Sequence, residues 1–151
     1  MTRKQLIMLA AGGSAALLLG AWGFQALGYA PCKMCIWQRW PHAIAFLIGV
    51  LALIVPVAAL LFFGAIAAAT TGAIGIYHTG VEKGWWQGPD TCTSGDITQL
   101  TSEQLMEQIM GAPLVLCDVV AWEFLTLSMA SWNAILSFGL ATIWLMALRK
   151  T

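Results

Sequence analysis

Two cysteines in the stretch "YAPCKMCIWQRW", residues 29–40, are three residues apart, with Pro31 before Cys32 and Lys33 between Cys32 and Cys35. A pair at this spacing at the start of a helix can close to a tight disulfide. Its thiolate form gains from the helix N-terminus and from nearby cations. Arg39 follows Cys35 by four residues, so a continuous helix puts both side chains on one face, one turn apart. A cation beside lipid is tolerable if it serves an anion, either a cysteine thiolate or a reduced electron acceptor. Two further cysteines, Cys92 and Cys117, complete a set of four, for which three pairings exist. Inside a cell such a set would suggest metal, and in an oxidising compartment disulfides. Zinc would need ligands beyond Cys32 and Cys35, from His42, His78 or the other cysteines. Structural zinc sites usually use a second close pair, whereas Cys92 and Cys117 are 25 apart. Inert structural disulfides are the other alternative. A CxxC loop is so short that closing it stabilises the fold by only about 3 kcal/mol or less, while the motif recurs in redox proteins.

The elements that position these cysteines are apolar. The chain has 151 residues, 60% of them hydrophobic and only 9% charged, against about 25% charged in a soluble domain. So few charges cannot cover a water-facing surface, and lipid is the implied solvent. A formal net charge of zero gives no indication of nucleic acid. After Arg3 and Lys4, residues 5–32 carry no charge, and a span of roughly 6–27 is expected. This run is too long for a signal-peptide core, although "MTRK" and Gly28-Tyr29-Ala30 have the look of one.

Pro41–Tyr77 contains no Asp, Glu, Lys or Arg over 37 residues. As one helix it would be about 55 Å long, against a hydrocarbon core of about 30 Å. It is therefore expected to fold back at Pro56, giving spans of roughly 41–55 and 57–77. The first of these is expected to start before Pro41, with a kink there. A fourth span is expected over roughly 124–148. The expected fold is all-α: a polytopic membrane protein forming a single four-helix bundle over 1–151. Both termini then lie on one side of the membrane. The loops of roughly 28–40 and 78–123 lie on the other, and all four cysteines share that side.

Charge bias alone does not orient the bundle, since the termini carry Arg3, Lys4, Arg149 and Lys150 and the cysteine side carries Lys33, Arg39 and Lys83. Cysteine chemistry favours termini in the cytoplasm. Trp37, Trp40, Trp85, Trp86 and Trp122 flank the outer boundary, as an interfacial belt would. In the second loop, Thr101 and Gln104 fit a capping box and Gly111 with Pro113 a helix stop. Leu105, Met106, Ile109 and Met110 form a stripe. A short amphipathic helix is expected there, either lying on lipid or packed on the protein. Cys92, in the polar turn-rich stretch "QGPDTCTSGD", is expected to be accessible. Cys117, seven residues before Phe124, is expected close to the membrane and to the CxxC.

The stretches "PCKMCIWQR", "YHTGVEKGWWQGPDTC" and "APLVLCDVVAWEFLTLSMASWN" together resemble the DsbB family of membrane disulfide-forming proteins, over nearly the whole chain and with all four cysteines in order. The resemblance implies a thiol:quinone oxidoreductase in the bacterial inner membrane, with the cysteine loops periplasmic. It implies that Cys92–Cys117 reoxidises a DsbA-like thioredoxin-fold carrier, and that Cys32–Cys35 then reoxidises the loop pair and passes two electrons to ubiquinone or menaquinone. It assigns Cys35 and Arg39 to the quinone, and His78, at the end of the third span, is a candidate to line the same site. A vitamin K epoxide reductase-like enzyme is the nearest alternative. There the loop cysteines precede the CxxC, whereas here the CxxC comes first. A membrane scaffold with structural disulfides is the non-enzymatic alternative, distinguished by the absence of electron flow to quinone.

Overall fold

A computed structural model describes residues 1–93, 101–111 and 115–150, without the side chains of 105, 108 and 109. Four helices are long and apolar enough to cross a membrane: α1 (Arg3–Ala26), α2 (Lys33–Ile54), α3 (Ala58–Glu82) and α5 (Met129–Leu148). Helix α1 packs on α2 and α5, and α3 packs on the same two, so the bundle closes in the cyclic order α1, α2, α3, α5. The short helix α4 (Ser102–Gly111) lies in the second loop. The chain is a multi-pass membrane protein. Its outward faces carry large apolar side chains such as Leu19, Leu47, Phe62, Phe63 and Ile135, as lipid-facing helices do.

Local chemistry sets the helix ends. Thr2 caps α1 through a reciprocal bond with Gln5, and Gly28 leaves the helix with φ +99°, a conformation open to glycine without steric cost. Helix α2 begins at Lys33, eight residues before Pro41, because Cys32 supplies the cap: its sulfur accepts the Cys35 amide proton at 3.2 Å. Pro41 sits inside α2. In the turn that it disturbs, Thr71 of α3 donates a hydrogen bond to the Gln38 carbonyl at 2.9 Å. The carbonyl that Pro41 leaves without its helical partner is that of Trp37; the Thr71 hydroxyl adds a bond to the next carbonyl in the same turn, a support of the kind by which membrane helices tolerate proline. The turn around Pro56 separates α2 from α3, and Arg3 donates to the Pro56 carbonyl from α1.

Helix α3 runs to Glu82, five residues past the expected Tyr77, which brings His78 and Glu82 onto the helix. Helix α5 starts at Met129 instead of 124. The intervening residues form a two-residue-turn hairpin, β1 (Glu123–Phe124) paired antiparallel with β2 (Leu127–Ser128). Leu125 and Thr126 adopt φ 51° and 64°, as a primed hairpin turn demands of both central residues. The hairpin delivers Ser128 as the cap of α5, its hydroxyl accepting the Ser131 amide proton at 3.2 Å. Thr101 and Gln104 form the reciprocal bonds of the capping box before α4. Met106 and Met110 are exposed, while the Leu105 and Ile109 side chains and the expected stop at Pro113 lie outside the described residues.

One apolar core fills the bundle around Trp144, which is fully buried among Leu6, Ile7 and Ala10 of α1, Ala52 of α2, Leu61, Ala65 and Ala68 of α3, and Ala141 and Ala147 of α5. The small residues of α3 allow this. A Cβ at Gly64 would fall 2.8 Å from the Trp144 ring, and one at Gly75 would fall 3.0 Å from the Ala130 carbonyl oxygen. Close approach of this kind drives helix association in lipid, where water exclusion is absent.

Candidate functional site

The chemistry gathers where α2 begins and α3 ends. Cys32 is buried, and its Sγ lies 2.9 Å from Cys35 Sγ, with Cys32 as the donor. Its hydrogen bond to Cys35 and its burial both push the Cys32 thiol above the ordinary cysteine range. A sulfur that already donates its proton to a neighbour, away from water, gains little by losing it. Cys32 is therefore the partner that keeps its proton in the reduced pair.

From α3, His78 turns its Nε2 to within 3.6 Å of Cys32 Sγ. One turn further on, Glu82 places Oε1 3.8 Å from the same nitrogen, and both side chains are almost fully buried. Glu82 Oε2 has no hydrogen-bond partner among the described residues. The other face of the imidazole begins a polar chain through the bundle. Gln38 Nε2 donates to His78 Nδ1 at 2.9 Å, Asn133 Nδ2 donates to Gln38 Oε1 at 2.7 Å, and His42 Nε2 donates to Asn133 Oδ1 at 2.9 Å. Ser137 lies 3.4 Å beyond. Polar groups this deep in an apolar bundle are expensive unless paired, and here three helices pair them. The chain fixes the His78 ring so that Nε2 faces the cysteines.

Cys92 and Cys117 form a disulfide, with Cα atoms 5.3 Å apart. Cys32, Cys92 and Cys117 share one buried cluster with Met34 and Val81, and Cys35 and Val115 pack against it partly buried. Cys117 is thus beside the CxxC, in keeping with its short distance from the last span. Cys92 corrects the expectation of an accessible sulfur: it is 1% exposed. A turn on Pro89, whose carbonyl accepts the Cys92 and Thr93 amide protons, carries it inward, and the bond to Cys117 holds it there. Polar neighbours in sequence signalled a solvated loop, but the covalent partner decides the burial.

Cys32, Cys35, His78 and Glu82 border a cavity of about 690 Å³, which runs down between α1, α2 and α5 past Arg39, Gln38, His42 and Asn133 to Leu17 and Leu18. Most of its lining is apolar, with Phe24, Trp122, Phe124 and Leu136 among the walls. A largely apolar cleft with few convergent polar groups is the usual form of a small-molecule site. Arg39 is held from α1: its Nη1 donates to Gln25 Oε1 at 2.8 Å and its Nη2 to the Ala21 carbonyl at 3.3 Å. Both partners are neutral, so no carboxylate among the described residues compensates its charge. The structure therefore brings Cys32, Cys35, Arg39 and His78 to one cavity and sets Cys92–Cys117 against its cysteine end. Lys33, adjacent in sequence to Cys32, is exposed.

Gln38, Asn133 and Glu82 are not legible as site residues in the sequence, and His42 is legible only as a candidate zinc ligand. Their signal was present: each is a polar side chain in or at the end of a span that is otherwise apolar.

The chain matches the family model described as "Disulfide bond formation protein DsbB" over residues 3–147. It is 29% identical over 142 residues to a curated "Disulfide bond formation protein B" of Dechloromonas aromatica (strain RCB), an alignment covering 83% of this chain and 84% of that protein. No solved structure matches the chain.

Proposed function

The chain belongs to the DsbB family of disulfide bond formation proteins, a membership that gives it a thiol oxidoreductase role in the membrane, and we propose that it carries electrons from a soluble dithiol carrier to a membrane quinone. One observation carries this reading: the four cysteines cluster together, three buried and Cys35 partly so, with Cys32 and Cys35 at the mouth of a long apolar cavity that also holds a guanidinium and an imidazole. Orientation follows from the chemistry, with the cysteine end in the periplasm of a bacterial inner membrane and both termini in the cytoplasm.

The residues divide the work. Cys92–Cys117 takes electrons from a DsbA-like thioredoxin-fold protein, whose thiolate opens the bond at Cys92. Because Cys92 is buried, docking of the carrier must shift the turn after Pro89 before attack. The thiolate released at Cys117 lies beside the CxxC and attacks Cys32 of a Cys32–Cys35 disulfide, which frees Cys35 as a thiolate. Attack on sulfur in this direction forms Cys117–Cys32 and breaks Cys32–Cys35, so electron count is conserved. The carrier's second cysteine then attacks the carrier sulfur bound to Cys92, which restores the carrier's disulfide and releases Cys92 as a thiolate; Cys92 attacks Cys117, displaces Cys32 and re-forms Cys92–Cys117. The outcome is an oxidised carrier and a reduced CxxC.

The cavity suits a flat, apolar, ring-shaped acceptor with two carbonyl oxygens. Cys35, His78 and Arg39 are the residues that would hold such a quinone, ubiquinone or menaquinone, which when bound accepts two electrons and two protons. Arg39 supplies a positive charge one turn from Cys35. His78 is oriented by Gln38, and its Nε2 can hold or pass a proton beside Cys32. The apolar walls keep water from the thiols.

Anaerobic incubation with a reduced thioredoxin-fold donor and a soluble quinone tests the assignment. The ultraviolet spectrum of the quinone should change to that of the quinol, one per carrier disulfide formed. Carrier oxidation that proceeds equally without quinone, or no quinol at all, would contradict it.

A further inference from the structure

We propose that the reduced form of this protein is a binding site for a divalent zinc-class metal ion, held by Cys32, Cys35, His78 and Glu82. The sequence argued against a metal because Cys92 and Cys117 are too far apart to supply a second close pair. The fold supplies that pair from elsewhere: His78 and Glu82 are one turn apart on α3, with His78 Nε2 at Cys32 and Glu82 Oε1 beside that nitrogen. Cys32 Sγ, Cys35 Sγ and the His78 ring nitrogen all lie within 4.8 Å of one another. Two of these spacings are tighter, 2.9 Å between the sulfurs and 3.6 Å from Cys32 to Nε2. Glu82 Oε1 is 3.8 Å from that nitrogen, and Glu82 Oε2 is buried without a hydrogen-bond partner among the described residues. Around a zinc ion with bonds of about 2.0–2.3 Å, donor atoms in a tetrahedron sit roughly 3.3–3.8 Å apart. His78 and Glu82 are near that spacing already; the sulfurs must separate and the Glu82 carboxylate must swing toward them, both by rotation about side-chain bonds.

The surroundings fit as well. A ligating imidazole usually has its second nitrogen held by a hydrogen bond, and Gln38 is at His78 Nδ1. With metal on Nε2 that nitrogen carries the proton, so Gln38 presents its oxygen instead. Asn133 and His42, next in the chain, can reverse with it, because each amide offers a donor and an acceptor. Two thiolates, a neutral imidazole and a carboxylate are a donor set suited to zinc. Loading takes both sulfurs as thiolates and so releases the Cys32 proton, with no change of oxidation state. Closing Cys32–Cys35 to a disulfide removes both thiolates, so the site exists only in the reduced state. A bound ion holds the CxxC in that state and stops turnover. The site thereby makes disulfide formation sensitive to metal, a property independent of which electron acceptor is used.

The test uses the full chain in detergent, reduced anaerobically and freed of reductant, titrated with Co²⁺ and then Zn²⁺. One Co²⁺ per chain should bind with the sulfur-to-metal charge-transfer and visible bands of a tetrahedral thiolate site, and Zn²⁺ should displace it. Protein with Cys32–Cys35 oxidised should show neither band. His78→Ala and Glu82→Gln should each weaken Zn²⁺ binding by at least the about ten- to hundredfold typical of losing even an outer hydrogen-bond partner. X-ray absorption of the unmodified zinc-loaded protein reads the ligand set without relying on folded variants: two sulfurs at about 2.3 Å and two lighter atoms at about 2.0–2.2 Å are expected. Absence of the charge-transfer band, four sulfur neighbours, or binding unchanged by either substitution would overturn the proposal.

Discussion

Where α1 begins and α5 finishes, Leu6, Ile7, Ala52, Leu61 and Ala147 close around a fully buried Trp144, and a single Cβ added at Gly64 would collide with the indole. Where α2 begins and α3 finishes, the same four helices leave a cavity of about 690 Å³ bordered by two thiols, two histidines, a carboxylate and a guanidinium. The comparison separates two tasks of one bundle. The first end is filled by apolar volume and holds the helices together. The second is kept open by polar side chains that must find partners in one another, and that network fixes where the thiols point. Stability and reactivity are thus lodged in different thirds of the same helices, and substitutions at the two ends should fail in different ways.

The largest effect belongs to the open end. Cys35→Ser removes the sulfur placed at the cavity, and quinone-dependent carrier oxidation should fall to background while the helical circular dichroism stays the same. Retained turnover would place the reacting sulfur elsewhere. Arg39→Ala should raise the KM for quinone by about ten- to a hundredfold, because a hydrogen bond to a charged group is worth about 1.5–3 kcal/mol. Cys92–Cys117 should still form in that variant, as a thiol count would show, and unchanged quinone kinetics would remove Arg39 from the site. Gly64→Val strikes the closed end. It overpacks the Trp144 contact, and a loss of about 1–3 kcal/mol is expected, read as a lower unfolding midpoint in detergent. Turnover per folded molecule should not change, and a KM shift here would break the separation of the two ends. The smallest effect concerns protonation. Cys32 has its pKa raised, so less of it is thiolate at any given pH. In the reduced protein its alkylation should be slower near neutral pH than that of a small free thiol. Its rate should still be climbing at pH values where the free thiol has levelled off. A plateau in the ordinary cysteine range, followed by peptide mass mapping, would contradict the Cys32 proton assignment.

Much of this arrangement was legible in the sequence, for physical reasons. An uncharged stretch twice too long for the bilayer had to fold back, and Pro56 marks the turn. Cys35 and Arg39 share a helix face because α2 runs unbroken through Pro41. Local spacing predicts a kink at Pro41, and the Thr71 hydroxyl that adds a bond in this turn comes from another helix, beyond the reach of local spacing. The burial of Cys92 was hidden for a similar reason: its neighbours in the chain are polar, and its burial depends on Cys117, 25 residues away. Glu82 escaped notice because "VEK" reads as the solvated end of a span. Only the tertiary structure shows that its carboxylate points at His78 and that Lys83 does not share its burial. The polar chain from His78 to His42 joins residues 38, 42, 78 and 133 of three helices, and nothing in the sequence pairs them.

The central claim is that the two cysteine pairs form one exchange site. A protein carrying Cys35→Ser and Cys92→Ser retains only Cys32 and Cys117, the two sulfurs through which electrons must cross. Mild oxidation in detergent, followed by proteolysis and mass spectrometry, measures whether they meet. The account predicts rapid formation of an intramolecular disulfide joining the peptides that contain Cys32 and Cys117. Two thiols that both remain open to alkylation, or that link only between separate molecules, would contradict it.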